Sequence, residues 1–515
     1  MGIVLALVVL ATVVATFARR LSVPAPSLLV IAGVLAGLVP GVPDVRVAPD
    51  VMSTVVLPPL LYAAAEELSW RELRAVRRPV TVLALGLVVA SAAAVALVAV
   101  AVTPLSVSMA FVLGAVLAST DPVAVTALGR RLALPPRVQA LVQGESLFND
   151  ATSLVLFRIA AGVAAAGGAI SWWHAAGDFA WLAGGGALVG ALAAAGVAVI
   201  RRRTEDPVLE TVIALVTPYV CYLLAEEAEA SGVMAVVVAG VALGGRAEDL
   251  TNSRIRLQLH AVYGTVVFLL ESVVFALIGR ELPRLVDEVS GSGASWPLAA
   301  LAVTATLLAI RALWVFPLSA AMARRQGARA SWRVPVVVSW AGARGVLPLA
   351  AALSIPLTDH AGGALAGREL VQLLTAAVIV LTLVVQGFTL APLVRRTGIA
   401  LAPADTAAEG VRARLGATRA AMAHLETVSD LEAAPRAVVE RVRRELTGRL
   451  DQLTAGERDG GPGPADGAYR ALRRDLIAVE NAELNRMYDA GEISDATRRS
   501  VQRTLDLEDT GLGES

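Results

Sequence analysis

The stretch Ser119-Thr-Asp-Pro-Val-Ala-Val-Thr-Ala-Leu128, followed across a short basic loop by Gln143-Gly-Glu-Ser-Leu-Phe-Asn-Asp-Ala-Thr-Ser-Leu-Val-Leu-Phe157, decides how the rest of the chain is read. Both halves have the apolar density of membrane segments, yet together they carry Asp121, Glu145 and Asp150. An ionisable side chain at mid-bilayer costs about 2.5 to 3.5 kcal/mol on insertion scales, so three acids here imply a function, and cations are what acids handle. Pro122 removes a helix N–H and pushes Asp121 toward extended geometry, which predicts a broken helix. Broken backbone at membrane depth is tolerated only where it lines a cavity or packs in protein, and there its freed carbonyls can meet an ion. The Thr120 carbonyl and the Asp121 carboxylate are oxygen donors of the kind hard cations take. On the second segment Ser146 and Asp150 are four residues apart and share a helix face; with Asn149 they are expected to point into one polar pocket.

Further along, Gly342-Ala-Arg-Gly345 interrupts another apolar segment. Gly342 and Gly345 allow close backbone approach beside Arg344, whose permanent charge needs a carboxylate at that depth. Glu145 is the first choice of partner and Asp121 the second. Paired interruptions in two halves of a chain are what an inverted-repeat transporter shows.

Thr-Asp-Pro at 120–122, Gly-Glu-Ser-Leu-Phe-Asn-Asp at 144–150 and Gly-Ala-Arg-Gly at 342–345, in that order on membrane segments, resemble the bacterial Na+/H+ antiporters of the monovalent cation:proton antiporter-1 family. The resemblance covers roughly residues 1–395. It implies Asp150 as the ion- and proton-carrying aspartate, Asp121, Ser146 and the Thr120 carbonyl completing a Na+ site, a Glu145–Arg344 ion pair, and a homodimer. Asn149 before Asp150 implies electroneutral one-for-one exchange, with Asn149 as a structural amide. Many relatives carry a carboxylate where this chain has Ala63, with Glu66 and Glu67 one turn later; that departure bears on water-mediated coordination and ion preference.

Composition agrees with a membrane protein. Of 515 residues 56% are hydrophobic, with mean hydropathy +0.67, and apolar runs recur along most of the chain. The 44 basic residues are all arginine and balance 44 acids, so net charge points to no partner, nucleic acid included. The single Cys221 excludes an intramolecular disulfide framework. No cleavage pattern precedes the first apolar run, which reads as a retained helix.

Thirteen apolar segments are expected, near 2–18, 25–40, 51–67, 79–101, 105–128, 138–165, 178–200, 208–226, 232–245, 259–279, 296–322, 333–356 and 368–393. With the N-terminus outside, nineteen arginines fall in cytoplasmic loops and four in external ones, which favours N-out, C-in in the plasma (inner) membrane. Among other intramembrane charges, Arg158 either pairs within the transport core or snorkels to the outer boundary. Glu271 and Arg311 form either a structural pair or a direct ion contact. Glu226, Glu227 and Glu229 read as solvated loop acids that could concentrate cations at an acidic mouth. The four histidines are read as surface residues. After Arg396 charge alternates with Ala and Leu at helical spacing, broken by a Gly/Pro-rich stretch at 459–467, so helices are expected near 405–428, 433–455, 468–490 and 494–507.

The expectation is an all-α polytopic membrane protein of about 13 transmembrane helices, with inverted repeats and broken helices crossing at mid-membrane. Residues 1–396 form the transport domain, with core helices in 79–165 and 259–393 and dimerisation helices in 1–40; residues 397–515 form a cytoplasmic helical tail. No cofactor is expected beyond transported Na+ and H+. No Walker A loop, zinc-ligand spacing or nucleophile–base set points to an enzyme. Open alternatives are K+/H+ exchange on the same fold, a cation channel, and a non-transporting sensor.

Overall fold

Runs of Ala, Val and Leu in a bilayer have only their own backbone to satisfy N–H and C=O groups, and helix is the way a single segment does so. The computed structural model describes residues 9–14, 16–17, 24–39, 51–68, 70–121, 134–166, 172–204, 206–246, 250–251, 253–289, 295–325, 331–358, 362–399, 403–430, 435–459, 464–490 and isolated positions from 492 to 508. Among them the regular structure is helical, with no strand. The chain divides into two compact units, Met1–Ala400 and Leu401–Ser515.

In the first unit α1 (Ala25–Gly37) precedes a π-helical turn (Met52–Val56) that leads into α2 (Leu57–Glu66). Then α3 (Trp70–Thr81) runs through a π-helical stretch (Val82–Leu87) into α4 (Val88–Val102). There follow α5 (Val107–Ala118), α6 (Pro136–Ala166), α7 (Trp172–Arg201), α8 (Pro207–Glu227), α9 (Gly232–Gly244), α10 (Ser253–Val289) and α11 (Trp296–Arg325). Two half-length helices, α12 (Arg333–Trp340) and α13 (Val346–Leu353), and the long α14 (Arg368–Thr397) complete it.

Among the described residues seven stretches are long and apolar enough to cross a membrane: Trp70–Val102, Pro136–Ala166, Gly177–Arg201, Pro207–Glu227, Ile255–Val289, Trp296–Arg325 and Arg368–Thr397. α1, α5 and α9 are shorter apolar helices. Large aliphatic side chains stand outward, with Leu97 75% and Leu313 70% exposed. Such a surface has a stable partner in hydrocarbon, not in water. α14 sits deepest, with two-thirds of its apolar window buried.

Small residues set the helix contacts. A Cβ on Gly33 or Gly279 would run into backbone of the facing helix, so α1 and α10 touch main chain to main chain there. Gly114 meets the Ala92 carbonyl of α4 in the same way. The expected 259–279 segment lies within a 37-residue helix that continues through what reads as an external loop, where Arg284 pairs with Glu281 at 2.7 Å and Glu288 at 2.5 Å and adds modest support. Arg201, read as a loop residue, ends α7 and is buried with Glu210 of α8 at 2.7 Å.

The second unit holds α15 (Pro403–Asp430), α16 (Arg436–Asp459) and α17 (Pro464–Asp489). Exposed ion pairs lace it: Arg473 reaches Glu508 at 2.7 Å and Glu480 at 3.0 Å, and Arg486 reaches Glu483 at 2.8 Å. The Glu508 and Glu483 carboxyls are held below the ordinary carboxylate range by hydrogen bonds from Arg473 and Arg486 respectively.

Candidate functional site

α5 stops at Ala118, and Ser119 continues in extended geometry at φ −64, ψ 143. Pro122, the proposed cause of the break, lies outside the described residues together with the rest of 122–133. The second interruption is Ala341–Gly345, between α12 and α13. The two extended pieces meet as an antiparallel bridge of Asp121 with Ala343, the Asp121 N–H donating to the Ala343 carbonyl at 2.7 Å. Backbone groups that the broken helices leave open therefore satisfy each other at the crossing.

α6 lies against this crossing. Ser146, Asn149 and Asp150 fall within about 100° of one another on a 3.6-residue helix, and Glu145 lies about 40° beyond Asn149, at the edge of that face furthest from Asp150. The first three hold the extended chain of α5. Asn149 accepts from the Thr120 N–H at 3.3 Å and donates through Nδ2 to Thr120 Oγ1 at 2.6 Å, a two-point clamp. Ser146 Oγ donates to the Thr120 carbonyl. Ser119 Oγ donates to Asp150 Oδ1 at 2.5 Å. Sequence reasoning missed Ser119; its signal was its place beside Thr120 and Asp121, on a chain whose extended geometry exposes side chains to both flanks.

Asp121 lies against Gly345, where a Cβ would overlap its carboxylate, so glycine is required there by the acid. Ser119, Thr120, Ser146 and Asn149 are buried, while Asp121 and Asp150 keep partial exposure. The two acids beside the crossing are thus less buried than the polar groups that hold the extended chain.

The expected Glu145–Arg344 pair is not formed. Glu145 is gripped by Arg311 of α11, Nη1 to Oε1 at 2.5 Å and Nη2 to Oε2 at 2.8 Å, with side chains 1% and 2% exposed. This two-point geometry suits a planar guanidinium. Arg311 Nε also donates to the Val338 carbonyl at 3.2 Å, and Gly342 leaves room for it, since a Cβ there would strike the guanidinium. The alternative Glu271–Arg311 pair is likewise absent, because Arg311 directs its donors elsewhere. Glu271 is half-buried on α10, within electrostatic reach of Asp121.

Arg344 finds oxygen in carbonyls instead. Nε donates to Leu117 O at 3.1 Å and Nη1 to Gly342 O, while its N–H donates to Thr382 Oγ1 of α14 at 3.2 Å. Leu117 lies in the last turn of α5 and Gly342 follows α12, so one guanidinium serves the negative ends of both broken helices.

Away from the crossing, Arg158 pairs with Glu226 at the end of α8, so Glu226 is not the solvated acid its surroundings suggest; Glu227 and Glu229 are exposed. Glu66 is half-buried and Glu67 exposed, next to Ala63. Among the described residues no group of three or more His, Cys, Asp or Glu side chains could hold a metal ion.

Two interrupted helices crossing inside an apolar bundle, with carboxylates beside the freed backbone, define an ion-coupled secondary transporter. Comparison with known proteins gives the family. The model of the transmembrane sodium/hydrogen exchanger family matches residues 5–396. An uncharacterized Na(+)/H(+) exchanger of Mycobacterium tuberculosis is 32% identical over a 531-residue alignment covering 99% of this chain and 97% of that protein. The Na(+)/H(+) antiporter ApNhaP of Aphanothece halophytica is 32% identical over 420 residues, covering 81% and 77%. The sodium proton antiporter MjNhaP1 of Methanocaldococcus jannaschii shares the fold, with TM-score 0.64 at 21% identity, covering 78% of this chain and 98% of that one. The chain belongs to the sodium/hydrogen exchanger family, whose members are membrane transporters, not enzymes.

Proposed function

We propose that the chain exchanges cytoplasmic Na+ for external H+ across the plasma membrane by alternating access, with Asp150 and Asp121 as the groups at which the two ions compete. The reading is supported most by one observation: Asp150, bonded to Ser119, and Asp121, two residues further along the same extended chain, meet at the helix crossing and are partly exposed, whereas the polar groups that hold that chain are buried. Ionised, the acids supply charge for a cation, with Ser146 and the Thr120 carbonyl as neutral ligands. Ser146 now donates to that carbonyl, so an arriving ion would accept lone pairs this hydrogen bond occupies. Protonation cancels the charge and releases the cation. Asn149 fixes Thr120 and carries no charge, which fits one-for-one, electroneutral exchange.

On this reading residues 1–396 form the transport domain of thirteen spans, N-terminus outside and C-terminus cytoplasmic. Two copies are expected to associate through the lipid-facing aliphatic side of residues 1–40, where Val9, Val13, Phe17 and Leu35 are exposed. Addition of Na+, Li+ or K+ to sealed proteoliposomes with a trapped pH indicator tests the function. Na+-evoked pH change without membrane current supports it. A response to K+ alone makes the chain a K+/H+ exchanger; current without pH change makes it a channel; no response makes it a sensor.

A further inference from the structure

The ion pair between Arg158 and Glu226 has no part in the exchange mechanism so far, yet it occupies a particular place. Arg158 Nη2 donates to Glu226 Oε1, Nη1 approaches the Ala230 carbonyl at 3.5 Å, and Glu226 Oε1 also accepts the Gly232 N–H at 3.3 Å. The α8–α9 turn that presents these acceptors is itself fixed. The Ala230 N–H donates to Ala225 O at 2.8 Å and the Ser231 N–H to Leu182 O of α7 at 3.0 Å. Both charged side chains remain about one-third exposed, at 34% and 33%.

The exposure is to a cavity of about 510 Å³ whose wall includes Arg158 and Glu226 with Ser53, Leu154, Phe157, Tyr222, Ser231 and Ser354. These residues come from the start of the Met52–Val56 turn, the far end of α6, the end of α8, the start of α9 and the end of α13. Every one of those ends lies away from the arginine-rich loops, which is the outer side on the orientation proposed above. At about 100° per residue, Leu154, Phe157 and Ala161 lie within about 40° of the Asp150 direction and Arg158 about 80° from it. Eight residues of rise place Arg158 about 12 Å along the axis from Asp150. The cavity therefore stands over the face of α6 that carries the acid.

A fixed guanidinium above a cation site repels the cation that must pass it. We propose that Glu226 is a positioning residue of the outer access path: it neutralises Arg158 and draws its guanidinium against the α8–α9 turn, so that an entering alkali cation meets a pair of no net charge. The proposal rests on the assignment of Asp150 as the ion-carrying group. A purely structural pair would only fasten α6 to the turn, and the two roles separate by measurement.

Right-side-out and everted membrane vesicles containing the full chain give the apparent KM for Na+ from each face, with choline chloride holding ionic strength constant. Glu226→Gln is expected to raise the outer-face KM roughly threefold or more, the scale of one unpaired charge about 10 Å away in partly aqueous surroundings. The inner-face KM and the saturated rate are expected to change far less. Glu226→Asp keeps the charge and is expected to stay near wild type. The double variant Arg158→Gln/Glu226→Gln is expected to recover the outer KM, because the repelling charge is gone, and Arg158→Gln alone is expected not to raise it. An unchanged outer KM in Glu226→Gln, equal shifts on both faces, or a double variant as impaired as the single one would overturn the proposal. Loss of exchange in the wild-type vesicles would instead overturn the antiport reading beneath it.

Discussion

Replacing Arg311 with alanine tests the electrostatics of the crossing most severely. In the structure Arg311 places two donors on Glu145 and a third on the Val338 carbonyl, inside a region where both side chains are almost fully buried. Arg311→Ala leaves the Glu145 carboxylate without that partner. Arg344 could replace it only by leaving the Leu117 and Gly342 carbonyls. Breaking a buried pair from one side costs about 3–5 kcal/mol, whereas removing both charges together is often neutral or better. The expected ordering in urea unfolding of the purified protein in mixed micelles, followed by tryptophan fluorescence, is therefore specific. Arg311→Ala loses about 3–5 kcal/mol, and Glu145→Gln/Arg311→Met returns to within about 1–2 kcal/mol of wild type. A single variant that unfolds with the wild type, or a double variant no better than the single, would show that the pair does not hold α6 to α11 and α12.

Three further outcomes follow from the geometry. Gly345→Ala puts a methyl where the Asp121 carboxylate lies, so cation-evoked proton movement is expected to fall at least about tenfold, since about 1.4 kcal/mol already gives that factor, in a protein that still elutes as a single species. Ser119→Ala removes the hydrogen bond to Asp150, of the charge-assisted kind worth about 1.5–3 kcal/mol, and is expected to change the KM for Na+ about tenfold or more; an unchanged KM would make Ser119 a bystander. In the tail, carboxylates with lowered pKa contribute stability above their unfolded values and lose it as pH falls through the folded ones. Hydrogen exchange around Arg473 is therefore expected to quicken below about pH 4, and Glu508→Gln is expected to remove part of that acid sensitivity.

Most of the helical architecture was legible because a bilayer leaves few choices: apolar runs become helices, and Gly-Ala-Arg-Gly marks a break. The face shared by Ser146, Asn149 and Asp150 was legible too, since it depends only on helical spacing. The partner of Arg311 was not. Glu145 and Arg311 are 166 positions apart on different helices, and sequence pattern holds no distance between them. Arg344 misled for another reason: its oxygens are main-chain carbonyls freed at the ends of α5 and α12, and no side-chain identity encodes them. Arg158 and Glu226 were each visible as charges, but whether they met depended on how the α8–α9 turn folds back over α6. Arg201 and Glu210 looked like loop and helix-start residues, although only a short connection separates them and packing buries both.

The measurement closest to the central claim is Na+-evoked pH change in proteoliposomes carrying wild type and Asp150→Asn side by side. The substituted amide keeps shape but can neither carry the proton nor supply the charge. The account predicts a robust response from wild type and none from the variant, with both proteins equally folded and reconstituted. Full exchange through Asp150→Asn would contradict it.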